Sequence, residues 1–305
     1  MMASGNAFRS KGEGIRLDWS KTKTIFIVVF LILDVFLFFL FLQKYQDTQN
    51  SQLPQLSIAD QIEEENITIS SELPDLDDSK PYLNAESYRF SAEEVSNLAG
   101  QNATVRNNRI LESSLNTPVD IEDPENPEEL TNLLEEFVLY GEQYRFRDYR
   151  EEENEIVYFQ YYEDSTLYFN VNAQLVVTLN DQQQAVSYTQ TYLSSLETFS
   201  TEQELITPGD ALESFYGSGV VEANSRVTNL EIGYFPSFLQ AGNNDDSVTG
   251  DVQVLTPTYK MTIENGEGSQ RDLFINAVDD NIYDMSQVNL DFDQLDEQEN
   301  DESTE

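Results

Sequence analysis

Seventeen of the eighteen positions from residue 25 to 42 are apolar, and the exception, Asp34, sits near their middle. At ~1.5 Å rise per residue such a run reaches about 27 Å, the depth of a bilayer core. The pattern predicts one transmembrane helix over 25–42. Arg9, Lys11, Arg16, Lys21 and Lys23 precede it, against only Glu13 and Asp18. The excess of positive charge places residues 1–24 in the cytoplasm and the remainder outside the cell. Trp19 with Lys21 and Lys23 on one side, and Lys44 with Tyr45 on the other, supply interface anchors. The following QKYQDTQNSQ offers no small-residue cleavage site, so the run does not read as a removable signal. A buried core helix would leave the flanking charge asymmetry unexplained.

Past the run the pattern changes to short periodic segments. Residues 43–80 are polar and read as a tether, with one short element at NITIS, 66–70. In SAEEVSNLAG, Ser91 and Glu94 have capping-box spacing and Val95, Leu98 and Ala99 form an apolar stripe. Extended segments follow at Ala103–Leu115. NPEELTNLLEEFVLYG predicts a second helix, with Asn126 as cap and Pro127 at the first position. Its stripe is Leu130, Leu133, Leu134, Phe137 and Val138, and Gly141 ends it.

The segments YRFRDYR, EIVYFQYYE, TLYFNVN, QLVVTLN and AVSYTQTYL are β-branched and aromatic, separated by polar turns, as in an antiparallel meander. A third helix begins at TPGDALESFYG, capped by Thr207 with Pro208 first and Asp210 three residues after the cap. Strands at VTNLEIGYF, TPTYKMTIE and RDLFINAV follow, with a turn at Asp279, Asp280 and Asn281. A helix followed by a meander thus occurs twice. The fold class is α+β, in two extracytoplasmic units over 81–198 and 199–290 divided near Thr198–Thr207. A faint echo, Phe169-Asn-Val-Asn-Ala173 against Phe274-Ile-Asn-Ala277, fits a repeat. Residues 291–305 are acidic and aperiodic and read as a disordered tail.

Charge narrows the range of partners. From residue 43 onward, 11 basic residues stand against 54 acidic ones, a net −43. Such a surface repels phosphate backbones, which excludes nucleic acid, and it repels anionic lipid and wall polymers. The chain has no cysteine and no histidine. That removes disulfides, thiol nucleophiles, His-based triads and HExxH zinc sites. No metal, cofactor or catalytic residue is assigned.

The candidate working residues lie on the membrane segment. A carboxylate near mid-bilayer costs roughly 2.5–3.5 kcal/mol, so Asp34 is expected to face a partner. Ile27, Phe30, Leu31, Leu37, Phe38 and Phe41 share its helical face, and Trp19 anchors the entry. Asp34 protonated towards lipid, or paired within a homodimer, is the plainer alternative. The acidic groups Glu63–Glu65, Glu151–Glu153 and Asp245–Asp246 lack EF-hand spacing and read as solvated loops. The run Tyr158-Phe159-Gln160-Tyr161-Tyr162 could line a peptide groove, although core and cross-strand packing is the commoner use of such a strand.

Three stretches resemble the YycI (WalI) family. The first is Leu17-Asp18-Trp19-Ser20-Lys21-Thr22-Lys23-Thr24-Ile25-Phe26-Ile27, running on through Phe36. The second is Ser187-Tyr188-Thr189-Gln190-Thr191-Tyr192-Leu193. The third comprises Ile232-Gly233-Tyr234-Phe235, Leu255-Thr256-Pro257-Thr258-Tyr259 and Ile275-Asn276-Ala277. Tyr259 stands where the family pattern has tryptophan. The resemblance implies a membrane-anchored accessory regulator of the WalK (YycG) sensor histidine kinase of Gram-positive cell-wall metabolism. It also implies action beside a YycH-type protein through membrane-helix contacts, and an exterior of tandem PepSY-like units. The family pattern begins with Met where Leu17 stands, so residues 1–16 are expected to be non-native. Lys21 and Lys23 alone preserve the topology.

Two other classes compete with a non-catalytic regulator. One is an extracytoplasmic module that binds peptide or wall fragments. The other is a two-carboxylate hydrolase, which the lack of histidine and cysteine makes the weaker rival.

Overall fold

The computed structural model describes residues 23, 26–38, 57–70, 76–237, 252–288 and 290–295. Residues 26–38 are helical (α1). The elements continue with α2 (Ile58–Glu64), β1 (Thr68–Ile69), β2 (Ser79–Lys80), β3 (Leu83–Ser87), α3 (Ala92–Ser96), β4 (Gln101–Arg106) and β5 (Ile110–Asp120). Next come α4 (Pro127–Phe137), β6 (Tyr144–Arg150), β7 (Glu155–Tyr162), β8 (Ser165–Thr166), β9 (Gln174–Leu179), β10 (Gln184–Gln190) and β11 (Leu193–Thr198). The last are β12 (Gln203–Glu204), α5 (Pro208–Gly217), β13 (Arg226–Pro236), β14 (Val252–Glu264) and β15 (Gln270–Asn276). The fold is α+β and mostly sheet.

The chain divides into two units, Met1–Ser57 and Ile58–Glu305. Among the described residues of the first, no helix is long and apolar enough to cross a membrane. The described part of the expected span is α1; residue 25, residues 39–42 and Trp19 lie outside the described residues.

The second unit holds two main sheets. One runs β4-β5-β10-β9-β7-β6, with β8 beside β7, all antiparallel. The other runs β1-β13-β14-β3-β11. In it the long strand β14 pairs β13 along one edge, and β3 then β15 along the other. A helix followed by a meander occurs in both, as α4 with β6-β7-β9-β10 and as α5 with β13-β14-β15. Sheet membership nonetheless crosses the division near Thr198, because β3 and β11 belong with β13 and β14.

Each sheet buries one face under helix. Val95, Leu133, Leu134 and Val138 pack on Leu111, Ile156, Tyr158, Leu175, Val177 and Tyr188. Ala211, Leu212 and Phe215 pack on Leu230, Tyr259, Met261 and Ile275, with Ile62 of α2 alongside. The other face of the first sheet is also covered. Val157, Phe159 and Val176 meet Tyr168, Phe235, Phe274 and Tyr283. Burial on both faces explains why β7 reads as an unbroken apolar run rather than an alternating one.

The helix ends follow their sequence signals with two adjustments. At α5 the Thr207 side chain accepts from the Asp210 amide and Asp210 bonds back, closing a capping box behind Pro208. At α3 only half a box forms. Ser91 accepts from the Glu94 amide, while the Glu94 carboxylate accepts the Tyr88 hydroxyl at 3.0 Å. After α4 the left-handed residue is Tyr140 (φ 56°), not Gly141. Gly141 is required for a different reason, since a Cβ there would collide with the Leu134 carbonyl.

Four segments depart from expectation. TLYFNVN is not a strand beyond Thr166. Phe169 is left-handed (φ 48°), and the Asn170 side chain accepts from the Asn172 amide, turning the chain into a 3-10 segment. The Phe169–Ala173 and Phe274–Ala277 stretches therefore occupy unlike places, one before β9 and one ending β15. AVSYTQTYL divides between two sheets, leaving one after Gln190 and entering the other at Leu193. The stretch 43–80 holds α2 and β2 besides the expected short element at NITIS, which is β1 and pairs in parallel with β13. Finally, Phe292–Leu295 forms a 3-10 turn whose Leu295 is buried with Ile110 and Val171. Residues 296–305 lie outside the described residues.

Candidate functional site

Of the eight residues expected to meet a partner, Ile27, Phe30, Leu31, Asp34, Leu37 and Phe38 lie on α1. Trp19 and Phe41 lie outside the described residues. Their spacing puts the six on one face of the helix. Every described side chain of α1 is exposed, from 65 % at Ile27 to 46 % at Leu33. A contiguous apolar surface of this kind marks contact with lipid or protein, since water disfavours it.

The stretch Ser187–Leu193 turns out to be a structural latch where the chain passes between sheets. The Tyr88 amide donates to the Tyr192 carbonyl at 2.8 Å, tying the two crossing strands. Thr191 Oγ1 donates to the Val171 carbonyl at 2.6 Å and Gln190 Nε2 to the Leu139 carbonyl at 2.6 Å. The Tyr144 hydroxyl donates to the Thr191 carbonyl. Gln190, Thr191 and Tyr144 are all buried, and these bonds satisfy their donors, while Gln190 Oε1 has no hydrogen-bond partner. Tyr259, at the expected tryptophan position, is 2 % exposed and its hydroxyl donates to the Ile206 carbonyl at 3.0 Å.

Among the described residues of the second unit, a groove of about 240 Å³ lies between edge strand β6 and strands β13, β14 and β15. Arg145 and Arg147 form its rim. Phe159, Thr166, Tyr168 and Phe274 line it, and Glu231, Lys260 and Asp272 stand opposite. The β6–β7 register shifts between Phe146 and Asp148, so Arg147 sits in a bulge, a device that re-aims a side chain. The Arg145 guanidinium lies 4.5 Å from the Tyr161 ring and donates to the Glu142 and Tyr144 carbonyls at 2.7 and 3.0 Å. Arg147 lies 5.3 Å from the Phe169 ring and 5.8 Å from Phe159, with Asp148 Oδ2 at 3.3 Å.

The far wall sets one cation between two carboxylates. Lys260 Nζ stands 3.6 Å from Glu231 and 3.5 Å from Asp272. The Tyr168 hydroxyl donates to Glu231 Oε2 at 3.3 Å, and burial followed by that carboxylate's charge raises the phenol pKa. Phe169, which holds Arg147, is itself held edge to face by Phe159 at 5.0 Å and Phe274 at 5.1 Å. A left-handed aromatic residue costs on the order of 1–3 kcal/mol and persists only where its surroundings impose it.

The aromatic run on β7 divides between two roles. Tyr158 is core, whereas Phe159 lines the groove and Tyr161 supports Arg145. The acidic groups Glu63–Glu65 and Glu151–Glu153 are exposed; Asp245 and Asp246 lie outside the described residues. Sequence reasoning missed the groove. Its one legible sign is Arg145 and Arg147 two apart on a strand, in a region poor in basic residues.

A sequence model of the family described as YycI protein matches residues 45–278. No curated protein matches the chain. Solved structures that match include an uncharacterized protein from Eubacterium rectale ATCC 33656, at 10% identity and a TM-score of 0.37. That match covers 72% of this chain and 91% of the other.

Proposed function

The chain belongs to the YycI family, and on that premise we propose that it is a membrane-anchored, non-catalytic regulator of the WalK (YycG) sensor histidine kinase, acting beside a YycH-type protein. The observation that carries the reading is α1, a helix whose apolar side chains are all exposed and whose one carboxylate is Asp34. In this proposal residues 25–42 span the membrane once with the N-terminus cytoplasmic. The face bearing Ile27, Phe30, Leu31, Asp34, Leu37, Phe38 and Phe41 meets the kinase's membrane helices. The segment has no glycine, so contact is by phenylalanine-rich side chains and one polar hydrogen bond rather than close backbone approach.

The two helix-plus-meander units are then PepSY-like modules in a Gram-positive extracytoplasmic space. Purifying the kinase with the full chain, and with a chain whose residues 25–42 are replaced by an unrelated membrane helix, tests the reading. Kinase autophosphorylation is measured in parallel. Loss of co-purification and of regulation on replacement supports it; retention of both refutes it.

A further inference from the structure

We propose that the groove at Arg145 and Arg147 binds a peptide carboxylate, with an apolar side chain of the same peptide against Phe159, Tyr168 and Phe274. The proposal is independent of the membrane-helix reading. Three of the eleven basic residues after position 43 line this one groove. That gathers three cations, beside the carboxylates of Asp148, Glu231 and Asp272, in a region of net −43.

Two irregularities of the backbone converge on it, the bulge at Arg147 and the left-handed Phe169. Both arginines lie within cation–π reach of aromatic rings, Arg145 4.5 Å from Tyr161 and Arg147 5.3 Å from Phe169 and 5.8 Å from Phe159. Arg145 Nη1 already donates to the Glu142 and Tyr144 carbonyls and Arg147 Nη1 stands 3.3 Å from Asp148, but a guanidinium carries more N–H donors than these contacts use, in a planar fork that matches a carboxylate.

The surroundings select against more highly charged ligands. Asp148, Glu231 and Asp272 stand around the same space, and Glu231 and Asp272 both pair with Lys260. Those carboxylates repel a phosphate dianion or an anionic polymer more strongly than a single carboxylate beside an apolar group. About 240 Å³ admits one or two side chains, not a polymer segment. A peptide supplies both chemistries at the right scale, from a C-terminus or from an Asp or Glu side chain.

The test uses the full chain in detergent micelles, labelled with ¹⁵N-arginine, so that guanidinium Nε–H signals are read directly. The probes are Ala-Phe-Ala with a free C-terminus, acetyl-Ala-Phe-Glu-amide, acetyl-Ala-Phe-Gln-amide and inorganic phosphate. Arg145→Lys and Arg147→Lys assign the two signals. Expected are saturable shifts of those two signals with one or both carboxylate peptides at about 10 mM or below, and none with the Gln peptide. Which peptide acts identifies the source of the carboxylate. Arg147→Lys, which keeps the charge but not the fork, should weaken binding by about tenfold, while Arg271→Lys on an exposed stretch of β15 should not. No shift with either carboxylate peptide, equal binding by phosphate, or unchanged affinity in Arg147→Lys would each overturn the proposal. If that variant does not fold, the titration of the unaltered chain decides.

Discussion

The Gln160 carboxamide pairs with the Leu193 peptide group through two hydrogen bonds. Gln160 Nε2 donates to the Leu193 carbonyl at 2.7 Å, and the Leu193 amide donates to Gln160 Oε1 at 2.8 Å. Both residues have 0 % exposure. A side chain of β7 thus stands in for a neighbouring strand where β11 begins, and it links the two sheets at the point where the chain crosses between them.

Replacing Gln160 with leucine keeps the volume and strands two backbone groups without water. Each unsatisfied buried group costs about 1–3 kcal/mol, so Gln160→Leu should lower unfolding stability by about 2–5 kcal/mol. Urea unfolding followed by tyrosine fluorescence reads the change. A loss below about 1 kcal/mol would mean that the junction relaxes or admits water.

Two glycines should behave unlike one another. A Cβ at Gly233 would strike the Thr166 carbonyl and the Tyr168 ring, where β8 lies across β13. Gly219 is left-handed (φ 77°) but faces open space. Gly233→Ala should cost about 1–3 kcal/mol through overpacking and broaden the NMR signals of Thr166 and Tyr168. Gly219→Ala should cost about 1 kcal/mol and leave those signals unchanged.

How much of this was legible depends on where the deciding contacts lie. Periodicity carries β6, β7, β9, β13, β14 and β15 because their neighbours are close in sequence. It also carries α5, whose cap, first-position proline and returning Asp210 lie within four residues. Assignment to a sheet is another matter. Nothing in Gln190-Thr191-Tyr192-Leu193 announces a change of sheet, because the partners that force it are Val171, Leu139 and Tyr88. Phe169 looks like a strand residue until Asn170 caps its own turn. The groove was hidden for the same reason, since its walls come from β6 and β7 and from β13, β14 and β15, which lie far along the chain.

Stability should be flat with pH from about 6 to 9 and fall above about 10. The chain has no histidine or cysteine to titrate in the first range. Burial raises the phenol pKa of Tyr144, Tyr158 and Tyr188, the last to about 12 from an ordinary 10.0. The folded state therefore holds these protons more tightly than the unfolded chain does. Their contribution is full below about pH 10 and is lost as pH rises towards 12 and beyond. The Tyr188 hydroxyl donates to the Phe137 carbonyl at 2.9 Å. Tyr188→Phe should lower stability at neutral pH and shallow the alkaline decline, both read from urea midpoints across pH. A midpoint that drifts steadily between pH 6 and 9 contradicts this assignment.

Asp34 separates contact with a partner from mere residence in lipid. In α1 it shares a face with Ile27, Phe30, Leu31, Leu37 and Phe38, while Val29, Ile32 and Phe36 lie on the opposite side. If the carboxylate meets the kinase, Asp34→Leu removes an interhelical hydrogen bond worth about 1–2 kcal/mol and weakens co-purification roughly tenfold. It should also make insertion easier, since the cost of a mid-bilayer carboxylate disappears. Asp34→Asn, which keeps a polar group, should retain much of the association, and Phe36→Leu on the far face should change little. Crosslinking from positions 30 and 38 in native membranes reads the same contact without detergent. If Asp34 instead pairs within a homodimer, Asp34→Leu abolishes self-crosslinking and leaves kinase association intact. If it stays protonated against lipid, neither crosslink changes and only insertion improves.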